Sequence, residues 1–206
     1  MITDIQTSLK PATPLMQRLL FRFAHPMGPT LLFGPIVLLL VGISLNLQAR
    51  TWMTVVLAIA VGVFYWTLIE YVLHRFIFHL VQVKEPWKTM ASGLHMDHHR
   101  DTEVKELIIA PPVVSMLFSS VIFLSLWAAT LDYKLAMLIL AGVFIGYILY
   151  EWAHYGAHQY QAKNAAFKYL KRYHLQHHFK HPNGSFGVTT PMWDYVFGSW
   201  YRPKKI

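Results

Sequence analysis

The sequence predicts an all-α integral membrane protein with four transmembrane helices in two hairpins. Apolar residues make up 55% of its 206 residues and charged residues only 14%, which is typical of chains that cross a bilayer rather than of soluble domains. The apolar residues also occur in long blocks, and a helix needs about 20 of them to span the hydrocarbon core.

Four apolar blocks approach or exceed that length. Their predicted bounds are about 30–47, 52–80, 107–129 and 135–155. The second block is longer than a bilayer requires, so its end should emerge into the interface or the aqueous phase. Short links join the first block to the second and the third to the fourth, which gives two helical hairpins.

Residues 1–28 are predicted to form an N-terminal segment, and residues 29–206 a single membrane domain. From Pro14 to His25, apolar residues at helical spacing are separated by arginines, which is typical of an amphipathic helix lying on a membrane. A basic start, a continuous apolar core and a small-residue cleavage site are all missing, so we do not expect a signal peptide.

The distribution of positive charge predicts the orientation of the helices. The formal net charge is +8, and Lys and Arg flank the apolar blocks, which favours an anionic membrane surface over nucleic acid as a partner. Of 18 Lys and Arg residues, only Arg50 and Lys134 fall on the links within the hairpins. By the positive-inside rule the opposite side is cytoplasmic, and residues 81–106 and 156–206 should form a helical cap there.

Two local patterns predict structure within the second part of this cap. Asn183-Gly184 is typical of a turn. Thr190-Pro191, with Asp194 in the first turn that follows, indicates the start of an aromatic-rich helix in the interface.

Histidine is the most unusual component of the sequence. The chain has no cysteine, which excludes disulfides, thiolate metal sites and thiol catalysis, but it has 12 histidines. Ten of these form four tight groups at the ends of the second and fourth blocks and in the two cap segments. The groups are His74 and His79; His95, His98 and His99; His154 and His158; and His174, His177 and His178.

The predicted topology places all four groups on one side of the membrane. Residues i, i+3 and i+4 share a helix face, so His154 and His158 can direct two imidazoles at one point. His74 and His79 are five apart and fit a shared face less well, unless a helix end or a local bulge corrects the spacing. A single interfacial histidine is usually a polar surface residue, but that does not explain four groups in one layer.

Ten imidazoles exceed the needs of one metal ion and suit two. Imidazole nitrogen binds iron, zinc, copper and nickel, and ligand type does not choose among them. We therefore predict a histidine-rich dimetal site in the cytoplasmic cap. His25 and His181 belong to no group and are not expected to be ligands.

Three carboxylates are candidates to orient ligand histidines. Glu70 lies four positions before His74, and Glu151 lies three before His154. Each is placed to accept the spare N–H of a ligand imidazole. Asp97, inside the first HxxHH box at 95–99, is a further candidate. The alternative is that Glu70 and Glu151 are interfacial charges paired with Arg75 or another base.

These motifs resemble those of the fatty acid hydroxylase superfamily of membrane di-iron enzymes, which includes sterol desaturases and fatty acid 2-hydroxylases. The resemblance covers residues 66–201. It rests on EYVLHRFIFH (Glu70 to His79), GLHMDHH (Gly93 to His99), EWAHYGAH (Glu151 to His158), YHLQHH (Tyr173 to His178) and FGVTTPMWDYVFG (Phe186 to Gly198). Within the superfamily, LHRFIFHL and ELIIAPP are most similar to the fatty acid 2-hydroxylases.

The resemblance implies two iron ions bound by the ten grouped histidines, although zinc can occupy such nitrogen sites in a purified sample. It implies O2-dependent hydroxylation at C2 of a fatty acyl chain, in a free fatty acid or in a sphingolipid such as ceramide. Eukaryotic 2-hydroxylases commonly carry a fused cytochrome b5 domain, for which this chain has no room. Electrons from NAD(P)H should then arrive through a separate cytochrome b5- or ferredoxin-type protein and its reductase, and a bacterial inner membrane is favoured over the endoplasmic reticulum.

Four aromatic residues on the second and fourth spans are candidates to line the acyl path: Phe64, Trp66, Tyr147 and Tyr150. Helix packing or an aromatic belt explains them equally well. One functional alternative is a sterol or carotenoid hydroxylase or desaturase on the same scaffold. Another is a non-enzymatic metal-binding or metal-transport protein, but these spans have almost no polar residues in mid-span. A hydrolytic zinc enzyme would show HExxH, which is absent.

Overall fold

The computed structural model describes residues 27–46, 48, 50–79 and 95–201, and the structural statements below concern these residues. The amphipathic helix predicted between Pro14 and His25 lies outside them, as does the part of the predicted cap between 81 and 94.

The described residues are helical and contain no strand. The helices are α1 (Gly28–Asn46), α2 (Trp52–Val72), α3 (Asp97–Arg100), α4 (Pro112–Thr130), α5 (Tyr133–Gln159), α6 (Ala165–Phe179) and α7 (Met192–Val196). Helix α2 continues directly into a π-helix, Leu73–Phe78, and a 3₁₀ turn, Lys105–Leu107, precedes α4.

Local side-chain chemistry sets where these helices begin. The Thr51 hydroxyl accepts a hydrogen bond from the N–H of Thr54 at the start of α2. Asp132 accepts from two N–H groups in the first turn of α5, and Asn164 caps α6 in the same way. These are the side chains expected to satisfy the free N–H groups of a first helical turn. Pro112 opens α4, where its missing N–H costs no hydrogen bond.

Four helical segments are long and apolar enough to cross a membrane. They are Gly28–Asn46, Trp52–Phe78, Lys105–Thr130 and Tyr133–Gln159. Each agrees with a predicted block within about four residues at either end, which is the usual uncertainty of helix boundaries. The prediction of four membrane-spanning helices is therefore confirmed.

Helix α5 is the centre of the bundle. In its apolar stretch 67% of the residues are buried, compared with 17% to 22% in the other three spans. Helices α1, α2 and α4 each pack mainly against α5. The chain order is that of two hairpins, as predicted, but α1 and α2 make fewer contacts with each other than either makes with α5. Arg50 and Asp132, on the two hairpin links, form an ion pair of 2.9 Å.

The crossing of α2 and α5 depends on two glycines that face each other. A Cβ atom added at Gly142 would lie 2.3 Å from the carbonyl oxygen of Ile59 and 2.9 Å from the Cα of Gly62. One added at Gly62 would lie 2.1 Å from the carbonyl oxygen of Ile139. Small residues let membrane helices approach closely and gain van der Waals contact. These glycines therefore set the distance between the helix that leads into His74 and His79 and the helix that carries His154 and His158.

The predicted elements of the C-terminal cap are present. The Gly184 N–H donates to the His181 carbonyl (3.1 Å), which closes the turn predicted at Asn183-Gly184. Helix α7 begins where Thr190-Pro191 predicted, and the Thr190 hydroxyl accepts from the Met192 N–H. Helix α7 is short, at 5 residues.

We expect Gly142→Ala to destabilise the protein by about 2 kcal/mol or more, because its methyl group would push the α2 and α5 backbones apart. Thermal unfolding in detergent measures the change. The matched control is Gly42→Ala in α1, where an added Cβ meets nothing within 4 Å and should stabilise the helix slightly. Equal unfolding temperatures for the two variants would contradict the close α2–α5 contact.

Candidate metal centre

The ten grouped histidines meet in two sets of five. The first histidine set is His74, His79, His95, His99 and His177, and the second is His98, His154, His158, His174 and His178. Within each set, one ring nitrogen from every residue lies within 4.8 Å of the others. The structure thus brings together all ten residues that the sequence singled out as ligand candidates.

Each HxxHH box is divided between the two sets. In the box at 95–99, His95 and His99 join the first set while His98 joins the second. In the box at 174–178, His174 and His178 join the second set while His177 joins the first. Residues four apart therefore share a set, and the intervening histidine crosses to the other. Each half of the chain therefore supplies four histidines to one set and one histidine to the other.

The spacing of the nitrogens suits metal ions. Neighbouring Nε2 atoms within a set are 2.8 to 3.1 Å apart. Two ligands at right angles around a metal, with bonds of about 2.1 Å, lie about 3.0 Å apart, whereas tetrahedral ligands lie about 3.4 Å apart. The observed distances fit a metal with more than four ligands, as five converging imidazoles also require.

The first set shows directly which nitrogens are free to bind. The Nδ1 of His74 lies 2.5 Å from the carbonyl oxygen of Phe186, and the Nδ1 of His177 lies 2.7 Å from that of Gly184. A carbonyl only accepts, so each Nδ1 carries the proton and donates it. Each Nε2 then presents a lone pair towards the other histidines, which is how second partners orient metal ligands.

Burial keeps these imidazoles neutral. It lowers the pKa of His79 to about 3, with a further contribution from the positive charge that His177 would carry. The pKa of His98 is lowered to about 3 by burial and by His158 and His177, and burial lowers that of His177 to about 4. At neutral pH these side chains are uncharged. Converging lone pairs on neutral rings repel one another unless a cation binds them, so both sets fit a divalent metal ion.

The π-helix resolves the awkward spacing of His74 and His79. The His79 N–H donates to the carbonyl of His74, five residues earlier, at 3.3 Å. This wider turn brings residues five apart onto one face, and their ring centroids are 5.1 Å apart. Single π turns inside α-helices are frequently found at functional sites. Of the two possibilities that the sequence left open, a helix end or a local bulge, the structure has the bulge.

Among the residues that the structure describes, Glu70 does not bond to a histidine, which corrects the prediction that it orients one directly. Its carboxylate is buried and accepts from the N–H groups of Val188 (2.5 Å) and Thr189 (3.0 Å) and from the Thr189 hydroxyl. The proton of His74 goes to the Phe186 carbonyl instead. Nor does Glu70 pair with Arg75, which donates to the Tyr71 hydroxyl. Glu70 therefore holds the loop that follows Phe186.

The other two carboxylates, Glu151 and Asp97, likewise have partners that are not histidines. Glu151 is buried and accepts from the Ala110 N–H at 3.3 Å, so it ties α5 to the segment leading into α4. Asp97 is buried within the box at 95–99 and lies 3.2 Å from the Arg100 guanidinium.

A narrow apolar cavity runs from the histidines into the membrane-spanning bundle. It lies between α2, α4 and α5, and it touches His95 of the first set and His154 of the second. Ile122, Val143 and Phe144 lie towards its far end. Since α5 rises about 1.5 Å per residue, the eleven residues from Val143 to His154 correspond to about 16 Å.

Three of the four predicted substrate-path aromatics line this cavity: Trp66, Tyr147 and Tyr150. Phe64 does not. Its side chain is 56% exposed and packs against Trp193, with ring centroids 5.8 Å apart. The sequence did not indicate that α4 also lines the cavity. On this side, the hydroxyl groups of Ser115 and Tyr147 share a hydrogen bond of 2.6 Å.

Comparison with known proteins assigns the family. Residues 59–199 match the family model described as fatty acid hydroxylase, and this segment contains both histidine sets. The chain belongs to the fatty acid hydroxylase family.

Its relatives within this family include named enzymes. A dihydroceramide fatty acyl 2-hydroxylase of Arabidopsis thaliana is 36% identical over 169 residues, which cover 80% of this chain and 69% of that protein. A ceramide very long chain fatty acid hydroxylase of Saccharomyces cerevisiae is 38% identical over 146 residues, covering 69% and 38%. The Homo sapiens fatty acid 2-hydroxylase is 33% identical over 139 residues, covering 66% and 37%. The chain thus spans well under half of the yeast and human proteins.

A solved structure has the same fold. The visible hydroxylase domain of full-length scs7p superposes with a TM-score of 0.82 at 30% identity, covering 90% of this chain and 70% of that one. The all-helical membrane fold of this fatty acid hydroxylase is therefore shared with a solved relative.

We expect this fatty acid hydroxylase to bind about two metal ions per chain, one in each histidine set. His98→Ala removes one nitrogen of the second set, so the second site should lose its metal on dialysis against a chelator while the first site keeps its own. The metal content should then fall to about one ion per chain. Elemental analysis by mass spectrometry measures the stoichiometry. The control is His181→Ala, outside both sets, which should keep two. A content of one metal in the parent protein would argue against separate sites.

Proposed function

We propose that this protein is an O2-dependent membrane monooxygenase that adds a hydroxyl group at C2 of a fatty acyl chain. The observation that carries the proposal is the apolar cavity that begins at both histidine sets and continues into the bundle. The relatives named as fatty acyl or fatty acid 2-hydroxylases support the same reaction. The substrate is a free fatty acid or the acyl chain of a sphingolipid.

The ten histidines are proposed to hold two iron ions. Bound iron would supply the O2 activation and the oxidation of an unactivated C–H bond that side chains do not perform. In the overall reaction, one oxygen atom of O2 enters the product, and the other leaves as water with two protons and two electrons. Zinc in the same nitrogen sites would be redox-inactive.

The residues of the cavity support reaction at C2. Both histidine sets lie at the ends of the spanning segments, and the cavity extends from them towards mid-span. An acyl tail that follows the apolar wall formed by Ile122, Val143 and Phe144 leaves its polar end beside His95 and His154. The carbon next to the carboxyl or amide group is then nearest to the metals. Trp66, Tyr147 and Tyr150 enclose the chain at this end and exclude water.

The outer face of α6 supports docking of the electron donor. The inner face of this helix carries His174, His177 and His178, whereas Lys168, Arg172 and Lys180 are exposed on the outside. A helix is about 10 Å across, so a protein bound to the outer face approaches the metals closely. We propose that a separate acidic redox protein, of the cytochrome b5 or ferredoxin type and reduced from NAD(P)H, docks there.

The charge distribution supports a cytoplasmic location for this face. Arg50 and Lys134 alone lie on the hairpin links, at the end of the bundle opposite the histidines, as the positive-inside rule requires if the metal end is cytoplasmic. The preference for a bacterial inner membrane over the endoplasmic reticulum stays a prediction.

Expression in a host that lacks 2-hydroxy lipids should produce 2-hydroxy fatty acids, which mass spectrometry of total fatty acids detects. His177→Ala should abolish them, because the first set then loses a ligand. If iron-loaded protein supplied with a reductase yields none, acyl 2-hydroxylation is wrong, and sterol and carotenoid products are the next to be analysed.

Reversing charge on α6 should slow electron delivery. We expect Lys168→Glu with Arg172→Glu to lower turnover with an acidic protein donor about 10-fold at low salt, through weaker electrostatic association. Turnover with a small chemical reductant should stay unchanged. The matched control is Lys134→Glu at the opposite end of the bundle, and an equal loss in that variant would exclude docking on α6.

A further inference from the structure

The loop between α6 and α7 connects two buried carboxylates to two histidines of the first set. Its carbonyl groups at Gly184 and Phe186 accept the Nδ1 protons of His177 and His74. No residue of this loop belongs to a histidine set. The loop nevertheless determines which ring nitrogen of each histidine carries the proton and which faces the metal site.

Asp194 fixes the part of the loop that makes these bonds. It is fully buried, at 0% exposure. One carboxylate oxygen accepts from the Phe186 N–H at 2.9 Å and the other from the Gly187 N–H at 2.7 Å. The Ser199 hydroxyl donates to it at 2.7 Å. Both carboxylate oxygens are thus used. The Gly187 N–H belongs to the same peptide group as the Phe186 carbonyl, so Asp194 holds that carbonyl from its N–H side.

Glu70 holds the next part of the same loop through Val188 and Thr189. The backbone from Phe186 to Thr189 therefore donates four successive N–H groups to two buried carboxylates. The direction of the Phe186 carbonyl, and with it the position of the His74 ring, is fixed by these bonds rather than by packing alone.

The second histidine set has no such support among the described residues. The Nδ1 atoms of four of its members are buried without a hydrogen-bond partner there: His98, His154, His174 and His178. No first-set nitrogen is among the partnerless buried atoms of the described chain. These second-set rings are held by their places on α3, α5 and α6.

We propose that Asp194 is a positioning residue for the first metal site only. It acts on His74 through the Phe186 carbonyl. It acts on His177 through Ser199, whose carbonyl accepts from the Ser185 N–H in the same peptide group as the Gly184 carbonyl. The proposal rests on the metal centre proposed above. Loss of the Asp194 carboxylate frees the loop, and two of the five first-set nitrogens then lose their fixed direction. Since partners of this kind typically change metal affinity by about 10- to 100-fold, the first site should lose its metal while the second retains it.

The test uses Asp194→Asn in the purified full chain in detergent. Asn has nearly the same shape but places an amide N–H₂ against a loop N–H. The parent and the variant are loaded with ferrous iron and exposed to a chelator, and the iron that remains is measured over time. The expected result is that one of the two iron ions of the variant leaves about 10-fold faster or more, while the other leaves at the parental rate.

Double variants identify which iron is lost. Asp194→Asn combined with His177→Ala should retain the same single iron as either change alone, because both act on the first site. Asp194→Asn combined with His158→Ala should retain none. Asp132→Asn, which removes a carboxylate charge and its ion pair with Arg50 at the far end of the bundle, is the control for general destabilisation and should leave both release rates unchanged.

Two results would overturn the proposal. If Asp194→Asn speeds the loss of both ions equally, Asp194 acts on overall stability, and if it changes neither rate, the loop does not position the ligands. In both cases, a parent protein that binds two iron ions would still support the proposed metal centre. A parent that binds none would overturn the centre and this proposal together.

Discussion

The structure depends on delivering ten imidazole nitrogens to two points at one end of a membrane-spanning bundle. A single helix places at most two or three histidines on one face, so four separate segments have to meet. Helix α5 makes this feasible because α1, α2 and α4 all pack on it, and its own end carries His154 and His158. The close Gly62–Gly142 contact then fixes α2 beside it, so that His74 and His79 reach the same layer. The same helix contacts that form the bundle therefore also assemble the histidine site.

Much of the site was predictable from spacing, but the division of ligands between two sets was not. Residues four apart lie about 40° apart around a helix, and residues three apart about 60° apart in the other direction. The members of each pair His95–His99 and His174–His178 therefore share a helix face. His98 and His177 lie about 60° from the first histidine of their own pair and about 100° from the second, and which site they reach depends on where the other half of the chain lies. Local periodicity contains no information on that placement.

The carboxylates illustrate a different limit. Glu70 is one helical turn from His74, and that proximity suggested a direct bond, whereas its partners are 118 and 119 positions away. Asp194 was recognised only as a first-turn acid of α7, yet it holds the loop whose carbonyl reaches His74. A backbone carbonyl has no sequence signature, so a support that passes through the main chain is invisible until the fold is known. Glu70 and Glu151 were singled out by their spacing from the grouped histidines, and their hydrogen-bond partners became known only from the tertiary structure.

The aromatic candidates could have been separated by helix geometry alone. Phe64 and Trp66 are two residues apart, which turns them about 200° from each other around α2, so only one of them can face a given cavity. Tyr147 and Tyr150 are three apart and share a face, and both line the cavity. Trp66 lies across from them, with ring centroids 5.2 and 5.7 Å away. The same arrangement that packs α2 on α5 therefore builds the cavity wall next to the histidines. For this reason one helix interface sets both the proposed positions of the metal ions and the proposed path of an acyl chain.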